Sequence, residues 1–283
     1  MINFGPSGWL SEEETNLFKK FILLREKAIE LCEEERGILK NSYGKPYKIL
    51  VISHEPWQIK SIPIPESILT QFIELVRESI CTGLYEKSTS IYNSSVFCVA
   101  KTNGKRRIVH DLQELNKVTI KDSVLPPHVD EFVGSFSGRA CYGLGDIMGG
   151  YDERELDINT RPLTTFETPL ERVQLTRLPQ GATNSVAVCQ AQMTWILQEE
   201  IPENLGIFID DGGSKGPRST YQHEILKENP LIRRFVWEYA VKLKRILFRI
   251  EEARLTISVS QFSCCVLALD TVGNVVSLGG RNI

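Results

Sequence analysis

A short apolar run, Gly206-Ile207-Phe208-Ile209, ends on two adjacent carboxylates and two glycines, Asp210-Asp211-Gly212-Gly213, and constrains this 283-residue chain more than any other feature. The apolar residues suit a buried strand, and the glycines permit a tight turn. Adjacent acids repel each other, so the pair is costly unless a cation or solvent takes up the charge. Taken alone, the run is also plain hairpin punctuation, because Asp-Gly favours turns. A second element argues for more: Tyr142-Gly143-Leu144-Gly145-Asp146-Ile147 is another apolar strand that ends on a single acid. Three acids on neighbouring strand ends, Asp146, Asp210 and Asp211, form the donor set of a two-metal site.

With 42% apolar residues the chain can bury a sizeable core in one or two subdomains. A net charge of -3 argues mildly against a nucleic-acid binder, but the average hides a split. Acids crowd Ser11-Glu12-Glu13-Glu14 and Glu33-Glu34-Glu35, whereas Lys101, Lys105, Arg106, Arg107, Lys117 and Lys121 cluster in the middle. The seven cysteines are odd in number and scattered through mostly apolar runs, which reads as buried thiols in a reducing compartment. No Cys-x-x-Cys pair supports a zinc site, and no stretch has membrane-spanning length, so an intracellular protein, cytoplasmic or nuclear, is expected.

Ser11 followed by three glutamates starts an amphipathic helix whose apolar spacing runs towards Gly37. Residues 47–53 read as a short β-run, residues 56–65 are too proline-rich for regular structure, and Glu66 to Ile80 reads as a helix. Val96–Ala100 and Arg106–His110 flank Thr102-Asn103-Gly104-Lys105 as a β-hairpin. Helices are expected over 182–199 and 230–253, and Leu255-Thr256-Ile257 with residues 266–276 should close the sheet. Helices on one face of a small antiparallel sheet make an α+β fold.

Between the acidic elements stands Arg177-Leu178-Pro179-Gln180-Gly181, and upstream stands Arg107-Ile108-Val109-His110-Asp111-Leu112-Gln113-Glu114-Leu115-Asn116-Lys117. Further blocks are Gly83-Leu84-Tyr85-Glu86-Lys87-Ser88-Thr89-Ser90, Gly149-Gly150-Tyr151, Arg161-Pro162-Leu163-Thr164-Thr165-Phe166, and Asn184-Ser185 followed by Gln190. Their order resembles the fingers and palm of reverse transcriptases, in particular those of gypsy-type long-terminal-repeat retroelements, with the Asp pair in place of the family's Tyr/Phe-x-Asp-Asp box. The resemblance implies a right-hand polymerase fold with an antiparallel palm sheet backed by helices and no thumb. Residues 1–79 would be an N-terminal helix and linker. Residues 80–283 would be the polymerase, with fingers near 80–140 and 152–176 and palm near 141–151 and 177–283.

The implied activity is RNA-directed DNA polymerisation, with a primed RNA or DNA template and deoxynucleoside triphosphates as partners. Two Mg2+ ions, or Mn2+ in their place, would be held by Asp146, Asp210 and Asp211, with the carbonyl of Ile147 completing one shell. Lys101 and Arg107 on the fingers hairpin would hold the triphosphate. Gly150 and Tyr151 would lie under the incoming sugar, Gln180 and Gly181 would meet the nucleotide, and Phe208, Val272 and Gly273 would stand near the primer end.

Several positions depart from the pattern: Ser95 replaces a proline, no lysine stands near Gln261, and Gly212-Gly213 replaces larger apolar residues, which should cost packing and hairpin rigidity. The sequence ends at Gly279-Gly280-Arg281-Asn282-Ile283, where the family continues into thumb, connection and ribonuclease H. A fragment of a polyprotein, whose missing thumb and ribonuclease H would be its partners, or a decayed copy is therefore expected. The alternative function is a catalytically inactive relic, at most a nucleic-acid-binding or structural module. An unrelated metal-dependent nuclease would leave the Pro-Gln-Gly and fingers blocks unexplained.

Overall fold

The computed structural model describes residues 2–32, 35–100, 104, 106–122, 127–146, 149–209, 211–259 and 262–282, with backbone alone at 144, 146, 149, 150, 211, 281 and 282. In chain order come α1 (Glu12–Leu23), β1 (Ile29–Glu30), α2 (Glu66–Cys81), β2 (Tyr85–Lys87), β3 (Val96–Ala100), β4 (Arg106–His110), α3 (Gln113–Val118) and α4 (Val129–Gly134). Then follow β5 (Tyr142–Asp146), α5 (Gly149–Asp152), β6 (Phe166–Glu167), β7 (Arg172–Leu175), α6 (Ser185–Ile196), β8 (Leu205–Phe208) and β9 (Asp211–Lys215). The last are α7 (Arg234–Ala253), β10 (Ile257–Ser258), β11 (Ser263–Val266), β12 (Ala268–Thr271), β13 (Asn274–Ser277) and β14 (Gly280–Asn282). The chain divides into two compact units, Met1–Tyr43 with Val124–Gly150 and Val186–Ile283, and Gly44–Ser123 with Tyr151–Ser185.

In the first unit a four-stranded antiparallel sheet runs β11-β5-β9-β8. Sequence periodicity placed the helices on one face, and α7 covers that face: the Tyr239 hydroxyl hydrogen-bonds the Ser214 hydroxyl at 2.8 Å. Leu243, Ile246 and Ile250 line a small cavity with Gly145 and Gly212. The other face is covered as well. Phe132 and Val133 of α4, with Phe136 just beyond it, form a core with Tyr142, Val266, Leu269 and Val276. A six-residue helix shows too little of a 3.6-residue period to announce itself in sequence.

That second layer explains the glycines. A Cβ on Gly213 would stand 2.5 Å from Phe136 Cε1, and one on Gly206 would stand 2.8 Å from Phe136 Cζ. The Phe136 ring occupies the space that side chains would fill, so the glycines at these positions permit close packing where the sequence suggested a loss of it. Gly213→Ala is expected to destabilise by about 1–3 kcal/mol through overpacking. The same change in a Phe136→Leu background should cost clearly less, because neighbours that share a space are non-additive; equal costs in denaturant titrations would refute the packing account.

Two expectations fail in this unit. The first helix stops at Leu23, well before Gly37, because Ile29 and Glu30 pair in parallel with Ile257 and Ser258. Buried Glu30 accepts from Thr256 Oγ1 at 2.9 Å, and this long-range pairing overrides the local helical pattern. Residues 268–282 do not close the main sheet either. They form their own meander, β12-β13-β14. A register shift within β11, with Cys265 at φ 55°, takes the chain out of the main sheet, as bulges do.

The second unit contains the antiparallel sheet β2-β7-β6 and the β3-β4 hairpin, whose register Val96↔His110 to Ala100↔Arg106 follows the sequence expectation. Tyr85, His110 and Phe166 pack as an aromatic triad with centroids 4.9–5.6 Å apart. Burial pushes the His110 pKa down to about 4. The Ser95 hydroxyl donates to the Lys60 carbonyl at 3.1 Å, so the serine that replaces the family's proline anchors the preceding proline-rich segment. That segment forms no helix, as expected; the β-run at 47–53 is reduced to single bridges, Tyr47 to Leu156 and Val51 to Thr119. Among the described residues no helix is long and apolar enough to cross a membrane.

Candidate active site

β8 and β9 form an antiparallel hairpin whose register pairs Phe208 with Asp211. On the other side of β9, Asp211 is the Cα partner of Asp146, the last residue of β5. Directly opposed positions of an antiparallel pair lie about 4.5–5.5 Å apart. Two of the three acids therefore meet across one ladder, at the same end of the sheet. Asp210 lies outside the described residues, as do Lys101 and Ile147; at Asp146, Asp211 and Gly150 only the backbone is described. Among the described residues, no cluster of three or more His, Cys, Asp or Glu could hold a metal ion.

The turn itself is held by a residue to which the sequence pattern assigned no role. Gln190 of α6 accepts from the Ile209 N–H at 2.7 Å and donates to the Ile207 carbonyl at 3.3 Å. Ile209 sits at φ 61°, a left-handed conformation that is strained for a β-branched side chain. Gln190 thus restrains the end of β8 and Ile209, the stretch that leads into the acid pair. Gln190→Leu keeps the bulk and loses both bonds. Its expected outcome is a stability loss of about 1–3 kcal/mol, together with a fall in primer-extension kcat on the order of 10²-fold from misplaced acids. Unchanged kcat in a folded variant would remove Gln190 from the site.

A second strained turn stands at Val272-Gly273, with φ 49° and 70°, closed by the pair Thr271↔Asn274. Both central residues have the positive φ that a two-residue hairpin of type I′ requires. Asn274 Nδ2 donates to the Val272 carbonyl at 2.9 Å. Phe208 is half-buried and lies against Phe132, with ring centroids 5.4 Å apart.

In the second unit, Arg107 is exposed on β4 opposite Val99. Gln180 is exposed, and Gly181 has φ 91°, a value that favours glycine. The Pro-Gln-Gly loop is held from two sides. Asn116 donates to the Gly181 carbonyl at 3.0 Å and accepts from the Thr183 N–H at 2.8 Å, while the Ser185 hydroxyl donates to the Pro179 carbonyl at 2.6 Å. Asn184 ties the same stretch to Ile120 and Asp122. These residues fall inside the quoted blocks, but only the structure shows that they act on the loop backbone. Tyr151 is buried, with 9% of its surface exposed.

The architecture is that of a polymerase fingers and palm. The foamy viral protease-reverse transcriptase in complex with dsDNA has the same fold, with a TM-score of 0.84 over 98% of this chain and 54% of that one at 19% identity. The same enzyme with an RNA/DNA hybrid gives 0.82 over 97% of this chain and 34% of that one at 18% identity. Residues 99–225 match the family described as reverse transcriptase (RNA-dependent DNA polymerase). Its relatives include the retrovirus-related Pol polyprotein from transposon 297 of Drosophila melanogaster, 28% identical over 209 residues, which are 71% of this chain and 19% of the polyprotein. The Pol polyprotein from transposon gypsy of the same organism is 24% identical over 200 residues, 69% of this chain and 19% of the polyprotein. The chain thus spans about a fifth of the length of these relatives.

Proposed function

We propose that this chain is the fingers-and-palm core of an RNA-directed DNA polymerase that adds deoxynucleotides to a primer 3′-end. The observation that carries the reading is the cross-strand opposition of Asp146 and Asp211 at the end of the palm sheet. Like charges directly opposite each other destabilise a ladder, so the pairing makes sense as a divalent-cation site. The donor set fits hard cations that take oxygen ligands, and Asp146, Asp210 and Asp211 would hold them. When bound, such ions would neutralise charge on the attacking oxygen, the phosphoryl group and the leaving pyrophosphate. Arg107 would grip the triphosphate by its planar fork, with Lys101 beside it. Gln180 would meet the nucleotide from the Asn116-braced loop, Tyr151 would exclude a 2′-hydroxyl by sterics, and Phe208, Val272 and Gly273 would seat the primer end.

We assign the unit of 44–123 and 151–185 to the fingers, and the other unit to the palm. Primer extension on a homopolymeric RNA template with magnesium tests the reading. Template-dependent products that vanish with chelator support it. Absence of extension alongside retained nucleic-acid binding would favour the inactive module instead. Arg107→Ala should raise the KM for nucleotide about 10-fold or more while template affinity stays level. Equal losses in both would identify a general backbone-binding patch.

A further inference from the structure

At the opposite end of the palm sheet from the acids, Lys215, Arg139 and Arg218 gather near the exposed carboxylate of Glu203. Lys215, the last residue of β9, is 2% exposed, and Arg139, just before β5, is 6% exposed. Backbone bonds from the Ala140 N–H to the Pro217 carbonyl, 2.7 Å, and from the Gly216 N–H to the Cys141 carbonyl, 2.8 Å, bring their two segments together. Lys215 is satisfied by the Ser135 hydroxyl and the Pro202 carbonyl, each at 2.8 Å, and lies over the Phe136 ring. Arg139 is not satisfied to the same degree. Among the described residues its guanidinium makes one long hydrogen bond, 3.4 Å to the Gly216 carbonyl, and reaches Glu203 only at 3.9 Å.

The contrast within the same unit is informative. Arg233 and Arg245 each bind a buried glutamate through two nitrogens at 2.8–3.1 Å. Arg139 is more buried than either, and its carboxylate partner is 74% exposed. Burial and the charge of exposed Arg218 push the Arg139 pKa down, burial and the charge of Arg139 do the same to half-buried Lys242, and Glu238 is the acid facing Lys242 from its own helix. A guanidinium with one long hydrogen bond, close to other cations and to a loosely held acid, suits an oxyanion that takes the place of Glu203.

We propose that Arg139, Arg218 and Lys242 form a phosphate-binding site at the base of the palm, separate from the acid pair. The ligand is a tetrahedral phosphate oxyanion, carried either by free inorganic phosphate or by a nucleic-acid backbone. The site stands on its own geometry, so primer extension and phosphate binding can fail independently. The test is calorimetric titration of the whole chain with inorganic phosphate in magnesium-free chloride buffer. Saturable binding is expected, weakened on the order of 5–10-fold in Arg218→Gln, whose exposed side chain leaves the fold intact. Glu203→Gln should tighten it several-fold, because the competing carboxylate is gone. A DNA duplex that displaces phosphate would mark the backbone as the source; a duplex that leaves it bound would mark the free ion. No saturable binding, or binding that neither variant changes, overturns the proposal.

Discussion

Asp211→Asn is expected to reduce primer extension by roughly 10³-fold or more while raising the melting temperature. The two effects share one cause. Asp211 stands directly across the ladder from Asp146, and Asp210 precedes it in the chain. Without a cation, that arrangement concentrates negative charge at one sheet end, and removing one charge relieves the repulsion. Asparagine keeps the shape and loses the charge that would hold a divalent ion. A site that trades stability for function should show both signs. Added magnesium should stabilise the wild type more than the variant, through linkage. Thermal melts with and without magnesium, run beside primer extension, measure all of this. A variant that loses activity without gaining stability, and responds to magnesium as the wild type does, would mean that the acids do not share a cation.

Much of this site is legible in sequence because its parts are local. The β3-β4 hairpin follows from alternation around Asn103-Gly104, and α7 from its repeating apolar stripe. The acid-bearing strands follow from short apolar runs that end on aspartate. The features that escaped depend on partners far apart in the chain. Nothing near residue 24 shows that Ile29 will pair with Ile257 and end the helix early. Nothing near Gly213 shows that the Phe136 ring will fill its empty side. Gln190 stands in an expected helix and in a quoted block, but its hold on Ile209 appears only once the chain has folded. A net charge of -3 likewise averages over clusters such as Arg139, Lys215 and Arg218 that only the fold assembles.

The N-terminal segment poses the same question for stability, and Glu14→Ala is expected to cost about 3–5 kcal/mol, the scale for stranding one partner of a buried ion pair. Glu14 is 1% exposed and closes the capping box of α1 by accepting from the Ser11 N–H at 3.0 Å. It also accepts from Arg233 at the backbone N–H, Nε and Nη2, at 2.8–2.9 Å. Loss of the carboxylate leaves the guanidinium with the Trp9 carbonyl, its remaining hydrogen-bond partner, and its stacking on Trp9 and Phe235. Burial pushes the Glu14 pKa up, but the Arg233 bonds and charge more than offset that and hold it below the usual carboxylate value. The sign follows from linkage. A carboxylate with a depressed folded pKa contributes stability above its unfolded value, about 4.3, and loses it as pH falls through the folded value. Urea unfolding should therefore show wild type and Glu14→Gln furthest apart at neutral pH and converging in acid. Residues 3–9 also bond to β11, through the Asn3 to Ser263 bridge and Trp9 Nε1 to the Cys265 carbonyl at 2.6 Å. The wild-type segment should thus unfold with the palm in one transition. An early, separate loss of α1 in wild-type hydrogen exchange, or a Glu14→Ala cost below about 1 kcal/mol, would show that the ion pair does not tie α1 to the palm.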